Sequence, residues 1–258
     1  MKTQTKYSPE VREQAVRLVL EQRCATGLIT SFIHPMTSHA LAGSEHKRPG
    51  VHIHAGHRTL GVCMTSTPHT RKLTILAQDP SVKLGGRIAF AQVDVPAEVL
   101  SSGPVGHRVK VIDFDASANV LYAPRTFGRT QAEQDLDPYA PDEKMTAAAR
   151  KRWEERTLAD PRFHAQHCYA VVMRTLARFE FALGRRVAWG FEGHQIHVAP
   201  HAFFEANAFY SEQDRALMFG YFKSARGDRP VFTCLSHDIV AHEATHAILD
   251  GLRDGFTN

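Results

Sequence analysis

From Thr59 to Tyr122 apolar and polar residues alternate in short runs divided by turn residues. The pattern predicts strands at Thr59 to Met64, Lys72 to Ala77, Arg87 to Val95, His107 to Phe114 and Val120 to Tyr122. Alternation in Arg108-Val109-Lys110-Val111, with turn residues from Asp115 to Asn119, predicts antiparallel pairing with one solvated face, and Gly85-Gly86 reads as a hairpin turn. Thr126 to Asp142 is polar and Pro-bearing, hence a loop. The period then lengthens. Asp142 to Leu158 predicts one helix, and Pro161 opens another that runs to Gly184 with Cys168, Val172, Leu176, Phe179 and Leu183 on one face. Arg185 to Phe222 supplies extended segments. After them, Ser236 as N-cap, Asp238 in the first turn and Ile239, Val240, Ala247, Ile248 and Leu252 as apolar positions predict a last helix, with Gly251 as its C-cap. At the other end Lys6 to Gln22 predicts a helix with Ser8 as N-cap, Pro9 at its first position and Ala15, Leu18 and Val19 as an apolar stripe. The fold class expected is α+β, β-rich first and helical afterwards, with no internal repeat.

Composition narrows the class. The chain has 258 residues, 43% of them apolar, which is enough for a buried core. Its formal charge is +4, from 31 basic and 27 acidic residues, and the two signs are interspersed, so no basic tract calls for nucleic acid or an acidic membrane. Cys24, Cys63, Cys168 and Cys234 are widely spaced without a CxxC pair and read as reduced structural thiols. No signal-peptide pattern and no long apolar span is present, which leads to the expectation of a cytoplasmic protein without membrane contact.

The chemistry concentrates in Ala241-His242-Glu243-Ala244-Thr245-His246. On a helix His242 and His246 are one turn apart and share a face, so both imidazoles can reach one zinc ion while Glu243 lies beside the metal's water. Chance alone would place this five-residue pattern in about 0.05 chains of such composition, so its helical setting matters. Elsewhere His52 and His54 fall on one strand face with His57 after a glycine, an arrangement that can clasp a metal or merely face solvent. His194 and His197 would point to opposite faces of a strand, and the adjacent Ser236 and His237 lack the elbow of a nucleophilic serine.

Three blocks in order, NAFY from Asn207, MFGYF from Met218 and SHDIVAHEATHAILDGL from Ser236, resemble the thermolysin family of zinc metallopeptidases, the gluzincins. The resemblance runs from about Ala165 to Gly251. It implies a zincin-type cleft sheet, peptide or protein substrates, and peptide-bond hydrolysis by a metal-activated water with Glu243 as general base. By the same resemblance His242 and His246 are zinc ligands, Asn207 and Ala208 bind the substrate backbone from an edge strand, and Asp238 marks a possible calcium ligand. The family's third ligand is a Glu on a later helix, followed by a Tyr and a His that stabilise the oxyanion, and no residue here matches them. Asp250 is the nearest acid one turn after His246, where the family carries an ordinary Asp that is not the ligand. The expectation is a chain truncated before the C-terminal helical domain, impaired as an enzyme, with one zinc weakly held. Its HExxH helix would have a partly bare apolar face open to self-association.

The segment KYSPEVREQAVRLVLEQ from Lys6 resembles the first helix of insertion-sequence transposases, but no recognition helix follows Arg23. The expected division is a transposase-like stub at 1–22, a linker at 23–45, a β-rich subdomain at 46–125 and the N-terminal half of a metallopeptidase domain at 126–258. Two alternatives stay open: a non-catalytic remnant of a peptidase gene joined to a transposase start, and a transposon-derived DNA-binding protein. One helix cannot dock and read a groove, so no nucleic-acid partner is expected.

Overall fold

Pro161 and Gly184 frame the element around which the other parts are arranged. In a computed structural model that describes residues 70–224 and 230–253, Pro161–Leu183 is one long helix. The Asp160 carboxylate accepts the Arg162 amide at 3.0 Å, and Gly184 closes the other end at φ 65°, a left-handed conformation that glycine adopts without penalty. Both ends therefore lie where the sequence puts them. The buried surface is wider than the expected stripe. Every residue from Phe163 to Met173 is buried, His164, Gln166 and His167 included, because a β-ribbon packs on one side of the helix and the main sheet and the last helix pack on the others. Cys168, Val172 and Leu176 are in the core, whereas Leu183 and Phe181 are exposed.

The ribbon pairs β1 (Thr70–Leu76) with β4 (Phe90–Pro96) antiparallel, from Thr70 opposite Pro96 to Leu76 opposite Phe90. Between them β2 (Lys83–Leu84) and β3 (Arg87–Ile88) make a small hairpin whose turn is Gly85-Gly86, both at positive φ, so the expected strand from Arg87 to Val95 is interrupted after Ile88. Further on come β5 (Val109–Val111) and the antiparallel pair β6 (Phe114–Asp115) and β7 (Val120–Leu121), joined through Asn119 at φ 52°. The main sheet adds β8 (Ile196–Phe203), β9 (Ala208–Ser211), β10 (Ala216–Lys223) and β11 (Pro230–Phe232) in the order β11-β10-β8-β5, with β9 also on β10.

One pairing corrects the sequence reading. β5 runs parallel to β8, Val109 opposite Ile196 and Val111 opposite Val198, and its antiparallel contact is limited to one bridge from Lys110 to Val105. The expected turn after Asp115, by contrast, does join an antiparallel pair, β6 and β7. Alternation reports only that Val109 and Val111 are buried while Lys110 is partly open. It carries no information on the direction of a partner so far along the chain.

Two further helices, Gln131–Gln134 and Ala147–Ala159, precede the long one, and the second starts later than Asp142 because Thr146 is its N-cap, accepting the Ala149 amide at 3.3 Å. The last helix, His237–Leu252, follows a 3-10 turn at Thr233–Leu235. Its apolar face is covered in large part. Val240, Ala241, Ala244, Ala247 and Ile248 are buried, since the long helix and β9 cover that face. Gly251 lies inside this helix and does not cap it: the Ala188 and Trp189 backbone approaches so closely that a β-carbon would collide. The mixture is α+β, and one core draws on Leu73, Val95 and Val109 as well as Tyr169, Phe219 and Ile248. Residues on both sides of position 125 thus share a sheet and a core. The 1–22 stub with its expected helix from Lys6 to Gln22, the 23–45 linker, the strand from Thr59 to Met64 and the His52, His54 and His57 cluster lie outside the described residues. Among the described residues no helix is long and apolar enough to cross a membrane.

Candidate metal centre

Asp238 in the first turn of the His237–Leu252 helix faces the positive end of the helix dipole, while Ser236 at the N-cap makes no side-chain bond to the helix amides. The buried alanines and Ile248 fix the rotation of this helix and leave His242 and His246 half-buried on its other side. There the two Nε2 atoms stand 3.0 Å apart, with ring planes at 87°. A tetrahedral zinc with bonds near 2.0–2.1 Å separates two nitrogens by about 3.3 Å, so a spread of a few tenths of an ångström would seat the ion. Burial pushes the His246 pKa down to about 4, helped by His242 beside it, and burial lowers that of His242 too. Both rings are therefore neutral near pH 7, the form that ligates metal. In residue type and spacing the pair fits zinc.

Glu243 points to the covered side of the same turn and is 8% exposed. Its Oε2 accepts the Tyr210 backbone amide at 3.0 Å, and burial, opposed by that bond, raises its pKa to about 7. Tyr210 belongs to β9 and ties the strand down a second time, its hydroxyl donating to Asp250 Oδ2 at 3.1 Å. Asp250 is 1% exposed and packs against Gly190, where a side chain would collide with it. Tyr210 closes the NAFY block, whose pattern alone does not mark it as a site residue. The clue was its register, two residues beyond Ala208 on the same edge of the strand.

Asn207 is exposed and immediately precedes β9, and Ala208 begins it. Since the Tyr210 amide points away from β10, the Ala208 amide two residues earlier points the same way, and it is capped by Asn207 Oδ1 at 2.9 Å. Gly220 on β10 allows the close approach of this segment, because a β-carbon there would strike the Glu205 and Asn207 carbonyl oxygens. The structure therefore brings His242, Glu243, His246 and β9 together. It leaves Asp238 beside His237 at 3.7 Å, with no group of three acidic or other metal-capable side chains around it among the described residues.

Among the described residues the one group of three or more metal-capable side chains lies elsewhere: His164, His201 and Cys234, all buried, with donor atoms within 4.8 Å of one another. No third donor of these types converges on His242 and His246 within the described residues. Sequence reasoning missed the buried group because its members come from three elements, with His164 and His201 lying 37 residues apart, and no local spacing announces them.

No family model, no curated protein and no solved structure matches the chain.

Proposed function

We propose that this chain is a zinc-dependent peptide hydrolase in which His242 and His246 hold the metal, Glu243 is the general base and the Asn207-Ala208 segment receives the substrate backbone. The observation that carries the reading is the pair of neutral imidazole nitrogens 3.0 Å apart beside a carboxylate anchored to an edge strand. Zinc would supply Lewis acidity, making water nucleophilic near neutral pH and polarising the scissile carbonyl. Glu243, held at Oε2, takes the water's proton on its other oxygen and passes it to the leaving amine. A pKa raised to about 7 suits a group that must both accept and return a proton at neutral pH. An extended peptide would pair with the outward Ala208 amide by displacing Asn207 Oδ1, on the side of β9 away from β10 where Glu243 already holds the Tyr210 amide.

A second reading, a protein that binds metal or peptide without turnover, is favoured by the count of donors. Two histidines from the described residues leave the ion one protein ligand short of the usual catalytic set. Cleavage of an internally quenched peptide by the zinc-supplemented full chain separates the two. Turnover that falls at least about 100-fold in Glu243→Gln supports the hydrolase. No turnover with zinc bound leaves the binding protein.

A further inference from the structure

The contacts of His164 and His201 fix where their hydrogens sit. His164 Nε2 lies 2.8 Å from the Leu158 carbonyl, which can only accept, so Nε2 carries the hydrogen and Nδ1 is a lone pair. His201 Nδ1 lies 2.8 and 2.9 Å from the two oxygens of Asp113, which also takes the His201 backbone amide, so Nδ1 carries the hydrogen and Nε2 is a lone pair. These two lone pairs then face each other at 2.7 Å. Two bare nitrogens at that distance repel unless a cation stands between or beside them. The Cys234 sulfur, 0% exposed, completes a triangle of donors around that point.

We propose that His164 Nδ1, His201 Nε2 and Cys234 Sγ form a second, structural metal site for a thiophilic d-block cation, zinc or copper(I), with Asp113 orienting His201. Two imidazoles and a thiolate are a donor set for such ions and a poor one for magnesium or calcium. The Asp113-His201 bond is the carboxylate-histidine arrangement that fixes the tautomer of a ligating imidazole. Binding forms a metal–sulfur bond and releases the Cys234 thiol proton to solvent, so charge and atoms balance. Phe232 packs on both rings at centroid distances of 4.9 and 5.0 Å, and Tyr122 covers His201 at 4.8 Å. That closure leaves no approach for a substrate, so the ion's part would be to tie the fold together. The ion would join the long helix and the 3-10 turn, both of which pack on the HExxH helix, to β8 and the segment between β5 and β6. The nitrogens must open from 2.7 Å to about 3.3 Å on loading, a small ring rotation. The site stands independently of the hydrolase reading.

The test uses the full chain carrying His242→Ala and His246→Ala, which removes the HExxH pair, loaded with cobalt(II). A thiolate-to-cobalt charge-transfer band that disappears in Cys234→Ser is the result expected, because the HExxH pair has no sulfur. X-ray absorption on the zinc-loaded protein should show sulfur at about 2.3 Å and nitrogen at about 2.0–2.1 Å, and this reading stands even if the serine variant does not fold. In Asp113→Asn the affinity should fall by about 10- to 100-fold. Absence of the band, its survival in Cys234→Ser, or a zinc shell without sulfur would each overturn the site and leave a proton shared between the two rings.

Discussion

Glu243 carries a clear pH signature. Its carboxyl titrates at about 7 in the fold, against an ordinary value of 4.5, chiefly through burial. Between those values the folded chain holds a proton that the unfolded chain has lost, so stability from this group is full below 4.5 and declines as pH rises through 7. In metal-free protein Glu243→Gln should therefore raise stability at pH 8 by up to about 3 kcal/mol, the gain shrinking to nothing below about pH 5. Gln keeps the acceptor for the Tyr210 amide, so the Tm difference between the two proteins, measured at both pH values, isolates the charge. An equal Tm difference at the two pH values would mean that Glu243 is not desolvated. At this scale one relation was legible: that His242 and His246 lie side by side on one helix face follows from their spacing, because one helical turn is a local rule. The meeting of Asp113, His201 and Cys234 was not, since only the folded sheet brings them together.

Among the elements, β9 depends on a glycine opposite it. Replacing Gly220 by Ala would drive a β-carbon into the Glu205 and Asn207 carbonyls, backbone atoms that cannot swing aside. The variant should lose about 1–3 kcal/mol and should weaken peptide binding more than zinc binding, because none of the atoms the β-carbon would strike belongs to the helix bearing His242 and His246. Thermal melts with parallel peptide and zinc titrations would show it, and an unchanged Tm would count against the close approach. Element type was largely legible. Pro161 and Gly184 punctuate the long helix because proline suits a first turn and glycine a left-handed cap. What escaped was partnership: β5 alternates as a half-buried strand does, yet its parallel mate is β8, far along the chain. The long helix likewise reads as amphipathic although Phe163 to Met173 is buried all round, since what surrounds a helix is decided by tertiary packing.

For the molecule as a whole, the α+β class followed from the change of period after Thr126, while the joining of the 46–125 and 126–258 segments through one sheet and one core did not, because composition shifts mark no domain boundary where strands pair across them. Of the apolar face of the HExxH helix, expected to be partly bare, β9 and the long helix cover Val240, Ala244, Ala247 and Ile248, while Ile239, Leu249 and Leu252 stay partly exposed. The histidine pair lies half-buried on the other side of this helix, and the account turns on whether that pair takes a metal. The direct measurement is the zinc content of the full chain after equilibrium dialysis, compared with that of the His242→Ala, His246→Ala double variant. The account predicts one fewer zinc per chain in the variant. Equal zinc in the two proteins would contradict it.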